Sequence, residues 1–172
     1  MSQSRYRQFV TEPEDALPYL EVLKAIADYQ FGIGIGNCLF DQDSFRIQRS
    51  VNTWRIRNVL SKDGLFLVLR PQDGLFSLTI NAGMRLKECA PFPSLRVMVR
   101  KEVEDAILKE GNVFAKHVEN VDRKLRAGDE ALVVNGDDEL LAIGKMRLSG
   151  EEVMEYKRGV ALTVRERWKI RK

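Results

Sequence analysis

The chain has 172 residues, with 28 Lys and Arg against 25 Asp and Glu, a net charge of +3, and an apolar share of 44%. That length allows one domain or two small ones, and the apolar share suits a globular core, so neither a large multidomain enzyme nor a disordered polycation fits. No run approaches the roughly 20 apolar residues of a membrane span, and the opening MSQSRYRQF lacks the apolar stretch of a signal peptide, so a cytoplasmic chain with no membrane partner is expected.

From the N-terminus, residues 1–15 are polar. Leu17, Leu20, Leu23, Ile26, Ala27 and Phe31 then recur at helical spacing and predict an amphipathic helix that Gly32 ends. Arg46 to Leu60 mixes β-branched and basic residues and reads as one or two strands. Leu65–Leu69 and Leu75–Ile80 flank Pro71-Gln72-Asp73-Gly74, in which Pro presets the first corner and Gly accepts positive φ, so a hairpin is predicted, with Phe66 and Val68 on the face opposite the rest of its first strand. Ala82–Cys89 follows as a short helix, with Met84 and Leu86 turned inward.

Pro91-Phe92-Pro93 stiffens the chain and excludes regular structure, which marks a boundary between a domain over 1–92 and one over 93–172. Beyond it Leu95–Val99 alternates as a strand, Val103–Lys109 is a short helix stopped by Gly111, and Val113–Val118 is a strand. Arg126-Ala127-Gly128-Asp129 is a turn. Ala131–Val134 and Leu140–Lys145 enclose Asn135-Gly136-Asp137-Asp138, a strong hairpin signal. Ser149 caps a short helix whose Glu151 and Glu152 favour its positive end, and Val160–Arg165 closes the sheet. The fold class is therefore α+β, a helix with an antiparallel sheet followed by a small barrel with short helices.

Charge is unevenly distributed. Seven basic residues (Lys157, Arg158, Arg165, Arg167, Lys169, Arg171, Lys172) face one acid, Glu166, between Tyr156 and the end. Arg46, Arg49, Arg55 and Arg57 form a second cluster. Two basic clusters on a nearly neutral chain suggest a directed anionic partner, with two solvated faces as the plain alternative.

Residues that carry chemistry are scarce. Phe31-Gly32-Ile33-Gly34-Ile35-Gly36 invites a nucleotide-loop interpretation, but it follows a helix where a phosphate loop opens one, and a flexible helix exit accounts for it better. One histidine, His117, and two distant cysteines do not make a zinc site or a nucleophile–base pair. His117 reads first as an ordinary strand residue, with stacking on RNA as the alternative. Cys38 and Cys89 lie outside any CxxC spacing and are expected as buried free thiols in a reducing cytosol, with a Cys38–Cys89 disulfide as the lesser alternative. The acids sit in turns and helix starts. No cofactor, metal or catalysis is expected of this chain, and a cryptic enzyme using His117 is the remote alternative.

The basic residues point to a groove. Lys157-Arg158-Gly159 lies between the last helix and the last strand, and Gly159 lets backbone approach a phosphate. Lys116 on its strand and Gly111-Asn112 in the preceding loop would line the same groove if the barrel closes, with Lys and Arg supplying affinity and backbone groups reading shape.

These residues carry a resemblance. Gly111-Asn112-Val113-Phe114-Ala115-Lys116, Arg126-Ala127-Gly128-Asp129-Glu130, Leu141-Ala142-Ile143-Gly144, Leu148-Ser149-Gly150-Glu151 and Arg158-Gly159-Val160-Ala161 follow one another as the blocks of a PUA domain do, so residues 95–172 resemble that RNA-binding pseudo-barrel. Upstream, Ala27-Asp28-Tyr29-Gln30-Phe31-Gly32, Arg55-Ile56-Arg57-Asn58-Val59 and Leu69-Arg70-Pro71-Gln72-Asp73-Gly74-Leu75-Phe76 resemble the small α/β domain that precedes the PUA domain in archaeal archaeosine tRNA-guanine transglycosylases. The resemblance implies an archaeal source and tRNA binding, with the PUA domain on the acceptor-stem side. It does not carry over catalysis: this chain has neither the family's catalytic barrel and zinc site nor the Pro-Cys nucleophile motif of the related amidotransferase, because Cys38 follows Asn37 and Cys89 follows Glu88.

The expectation is a non-catalytic binder of structured RNA, tRNA before ribosomal RNA, acting beside a separate RNA-modification enzyme. Its RNA-binding residues would be Gly111, Asn112, Lys116, Lys157, Arg158, Gly159 and Arg165, with Arg55, Arg57 and Arg70 in the first domain. A ribosome-assembly or translation factor and a protein-interaction adaptor are the alternatives.

Overall fold

A computed structural model describes residues 9–41 and 44–169. The chain forms two compact units, Met1–Ala82 and Gly83–Lys172. The tail residues Arg171 and Lys172 lie outside the described residues.

The first unit is built on a five-stranded antiparallel sheet in the order β1 (Glu14–Asp15), β2 (Arg46–Arg49), β3 (Ile56–Ser61), β4 (Gly64–Leu69), β5 (Phe76–Leu78). Cross-strand partners Ile47, Val59, Leu67 and Leu78 are all buried. Helix α1 (Leu20–Phe31) buries Leu23, Ala27 and Phe31, a set spaced by four residues that lies on one helical face. Phe40, Phe45, Phe66 and Phe76 pack edge-on or tilted, with centroids 5.1 to 6.3 Å apart. The side-chain amide of Gln30 donates to the Phe76 carbonyl at 2.8 Å and accepts from the Phe76 N–H at 2.7 Å, so it occupies the open side of β5 as another strand would.

The glycine run is an elbow between two helices and not a flexible exit. Gly34, at φ +89°, turns the chain into α2 (Ile35–Leu39). A Cβ on Gly36 would overlap the Lys24 carbonyl and come within 2.8 Å of the Lys24 Cα, and the Gly36 N–H already donates to Asp28 Oδ1 at 2.7 Å. No amide of Gly36 is left for a phosphate.

The predicted Pro71–Gly74 turn closes the β4–β5 hairpin, with Gly74 at φ +70°. The return strand is shorter than expected, because Ile80 already belongs to helix α3 (Ile80–Cys89). On β4 the alternation fails: adjacent Phe66 and Leu67 are both buried, so this stretch is covered on both sides. On α3 the buried residues are Ala82, Gly83 and Leu86, and Met84 falls outside that set with 40% exposure, contrary to its expected inward position. The cysteines also depart from expectation. Cys38 and Cys89 are both disulfide-bonded, so no free thiol remains and the inference of a reducing compartment from free thiols loses its basis.

The second unit is a six-stranded, nearly closed sheet in the order β7 (Val113–Phe114), β11 (Val160–Arg167), β10 (Leu140–Met146), β9 (Glu130–Val134), β6 (Arg96–Val99), β8 (Val118–Val121). Strand β6 runs parallel to β9 and the other pairs are antiparallel. The end strands β7 and β8 are neighbours in sequence, joined by the 3-10 turn Ala115–His117. Strand β9 and the Leu140–Gly144 stretch of β10 are buried throughout, as strands covered on both faces require. Helix α4 (Glu104–Lys109) packs near β10 and β11, and α5 (Gly150–Tyr156) near β8. The expected N-cap is present as a capping box: Ser149 Oγ accepts from the Glu152 N–H, and Glu152 accepts from the Ser149 N–H. Buried Arg96 donates to the carbonyls of Lys87, Ala90 and Ser94 and to Asp138, which fixes the chain entering β6.

Among the described residues no helix is long and apolar enough to cross a membrane.

Candidate nucleic-acid interface

The sequence predicted one strand over Val113–Val118, but the structure breaks it after Phe114. Strand β11 dictates the break. Val160 and Leu162 pair with Phe114 and Val113, and the Ala115 N–H then donates to the Gly159 carbonyl at 2.9 Å, which turns the chain out of the sheet. Lys116 and His117 therefore sit on the 3-10 turn at the rim and not on a strand. The His117 carbonyl accepts from the Arg100 N–H at 2.9 Å, and its ring meets Phe114 edge-on at 6.1 Å.

Next to this turn is the exit of α5. Lys157 holds a left-handed conformation (φ +51°, ψ +29°), and Gly159 follows at φ +78° with open space beside it. The pairing of β7 with β11 places Lys157, Arg158 and Gly159 beside Phe114 and the Ala115–His117 turn. Lys116, Lys157 and Arg158 are exposed, and none pairs with a carboxylate among the described residues.

Gly111 and Asn112 join the same edge. Asn112 Oδ1 accepts from the Val164 N–H on β11 at 3.0 Å, and Gly111, at φ +86°, closes the exit from α4. Arg167, absent from the predicted site, holds this loop: its guanidinium donates to the Ile107 carbonyl at 2.9 Å and to the Gly111 carbonyl. The carbonyls it grips lie 60 and 56 positions upstream, so only closure of the sheet reveals the role. Phe114 and Tyr156 were also missed. Both rings are exposed next to rim residues, where aromatic groups can stack on bases.

Arg165 differs from its predicted companions. Its guanidinium pairs in two-pronged fashion with Glu130, whose side chain is fully buried on β9. Its charge thus balances a buried carboxylate within the sheet.

The three arginines predicted in the first domain lie at one end of its sheet, where the β2–β3 and β4–β5 connections both fall. Arg55 and Arg57 have no carboxylate partner among the described residues, whereas Arg70 pairs with Asp73 at 2.8 Å. Arg49 of the same cluster is committed to Glu14 at 3.2 Å and lies over the rings of Tyr19 and Trp54 at 5.0 and 5.8 Å. No group of three or more His, Cys, Asp and Glu side chains is placed to hold a metal among the described residues.

A six-stranded, nearly closed sheet whose end strands meet through a cationic turn, preceded by a helix-backed antiparallel sheet, defines the class: a small α/β domain followed by a PUA-type pseudo-barrel. Solved structures share this fold. A hypothetical protein of the hyperthermophilic archaeon Pyrococcus horikoshii OT3 superposes with a TM-score of 0.69 at 22% identity, covering 91% of this chain and 93% of that one. A conserved PUA domain protein from Thermoplasma acidophilum gives 0.60 at 18% identity, covering 90% and 91%.

Residues 21–93 match the patch-forming domain C2 of tRNA-guanine transglycosylase and residues 95–167 match the PUA domain, so the two domain models follow one another along the chain. Among curated relatives, the tRNA-guanine(15) transglycosylase of Methanothermobacter thermautotrophicus is 41% identical over 159 residues, which is 92% of this chain and 24% of that protein. The enzyme of that name from Pyrococcus furiosus is 40% identical over 152 residues, 88% of this chain and 25% of that protein. The chain thus spans about a quarter of the length of these relatives, and it corresponds to their C-terminal part.

Proposed function

We propose that this chain binds structured RNA, tRNA before ribosomal RNA, through the rim of its second unit, in the service of tRNA modification carried out by a separate enzyme. The rim carries the proposal. Lys116 follows Ala115, whose N–H donates to the Gly159 carbonyl, and Lys157 and Arg158 precede Gly159, so three exposed cations without a carboxylate partner among the described residues are carried on adjoining backbone. Cations held beside exposed backbone and exposed aromatic rings suit a folded RNA, whose phosphates supply affinity and whose shape and unpaired bases supply selectivity. The relatives' printed name, tRNA-guanine(15) transglycosylase, favours tRNA as the polymer and modification as the context.

Within this proposal residues 93–172 are the RNA-binding domain and 1–92 the domain that precedes it. Gly111, Asn112 and Gly159 shape the rim, and Arg165 supports it from inside the sheet. Arg55, Arg57 and Arg70 contribute from the first domain. The chain itself is assigned no catalytic step, and the cytoplasm is its place of work, since tRNA modification occurs there.

A binding titration at low and high salt, comparing total tRNA, a ribosomal RNA fragment and duplex DNA, tests the proposal. Tight, salt-sensitive binding that prefers tRNA is the expected result. Preference for the ribosomal fragment would redirect the assignment to ribosome assembly or translation. Absence of binding at low salt would remove RNA as the ligand and leave a protein partner to be sought.

A further inference from the structure

At one end of the first unit's sheet, the β2–β3 connection and the β4–β5 turn come together. A third segment joins them: Val10 bridges Ser50, the Val51 N–H donates to the Phe9 carbonyl at 3.0 Å, and the Thr11 N–H donates to the Arg49 carbonyl at 2.9 Å. These three segments enclose a cavity of about 600 Å³, within the size range of small-molecule sites. Ile56, Leu69 and Pro71 give it apolar walls, and Arg55, Arg57 and Arg70 also line it.

Arg70 supplies the decisive observation. Its Nε donates to Asp73 Oδ1 at 3.1 Å, and its Nη2 lies 2.8 Å from Asp73 Oδ2. Its Nη1 is buried and has no acceptor among the described residues, and the side chain is only 15% exposed. A buried charged donor without a partner is unfavourable, and a small displacement of the Arg70 guanidinium toward an acceptor in the cavity relieves it. The turn that presents Arg70 is itself fixed, because Asp73 Oδ1 also accepts from the Leu75 N–H and the Arg70 carbonyl from the Gly74 N–H.

An inorganic anion would use the arginines and gain nothing from apolar walls. A nucleotide uses both, since its base has flat apolar faces with acceptor atoms on the edge and its phosphate carries the charge. We propose that this cavity takes one unstacked nucleotide of an RNA. The base lies against Ile56, Leu69 and Pro71, an acceptor on its edge meets Arg70 Nη1, and its phosphate is held by Arg55 and Arg57. The identity of the polymer rests on the RNA-binding proposal, whereas the nucleotide chemistry rests on the first unit alone.

The test titrates the full chain, labelled with nitrogen-15, with adenosine 5′-monophosphate and uridine 5′-monophosphate, and in parallel with adenosine and inorganic phosphate. The amides of Thr53, Ile56, Gln72 and Gly74 are expected to shift saturably, with at least one nucleotide binding about fivefold or more tighter than inorganic phosphate. Arg70→Met should weaken that binding by about tenfold. Arg55→Gln, at an exposed position where folding is not at stake, should weaken it as well. Equal affinity for nucleotide and inorganic phosphate would overturn the proposal in favour of a plain anion site, and shifts confined to other amides would overturn it outright. Intact tRNA binding by a chain whose cavity ignores nucleotides overturns this inference and leaves the RNA-binding proposal standing. Nucleotide uptake by a chain that ignores tRNA overturns the RNA assignment and the polymer named here with it.

Discussion

Replacing Lys157 and Arg158 together with Gln tests the rim most directly. Both side chains are exposed and bear no structural ion pair among the described residues, so the fold should survive the change. Each phosphate neutralised contributes about 0.7 to 0.9 to the slope of log affinity against log salt, so losing two contacts lowers the slope by about 1.4 to 1.8. Between about 1 M salt, where wild type and variant converge, and about 0.1 M, that difference grows to a loss of about 25- to 60-fold. Fluorescence anisotropy with labelled tRNA over a salt series reads both quantities, and the thermal midpoint checks the fold. Two parallel lines, with equal slopes and a constant offset, would refute the assignment, because the lost contacts would then not be to phosphates.

Other perturbations test the scaffold. Arg96→Met strands three carbonyls and the Asp138 carboxylate in the second unit, and denaturant unfolding should show a loss of about 3 kcal/mol or more. Gly36→Ala forces the two helices of the elbow apart at the Lys24 carbonyl and should cost about 1–3 kcal/mol by the same measurement. Without reductant the unfolded chain should react with a thiol reagent at neither of its two cysteines, and at both after reduction.

Much of the fold could be read from the sequence where the signal is local. The helical period of Leu23, Ala27 and Phe31, the Pro71–Gly74 turn, the hairpin around Asn135-Gly136 and the Ser149 cap each depend on residues a few positions apart, and each element is present. What failed depends on distant partners. Val113–Val118 reads as one strand, yet it ends at Phe114 because β11, more than forty residues on, sets where pairing stops. Arg165 looks like any tail cation until β9 places Glu130 beside it. The glycine run reads as slack because its reason, the Lys24 carbonyl against Gly36, belongs to the helix before it. The same holds for the rim: Lys157, Arg158 and Lys116 can be picked out as cations from residue type alone, whereas Arg167, the clamp on the loop, became visible only once the sheet closed.

Lys157 carries one more consequence. It stands where helix α5 ends, in the left-handed conformation that helix exits usually give to glycine, and the Gly beside it at position 159 is not the residue asked to adopt that exit. A side chain in that conformation costs roughly 1 kcal/mol relative to glycine. On the proposed role of the rim, affinity and robustness therefore pull against each other at a single position. Lys157→Gly should melt later and, with the rim acting as proposed, hold tRNA less tightly, so a search for heat-resistant variants would select against the proposed RNA contact.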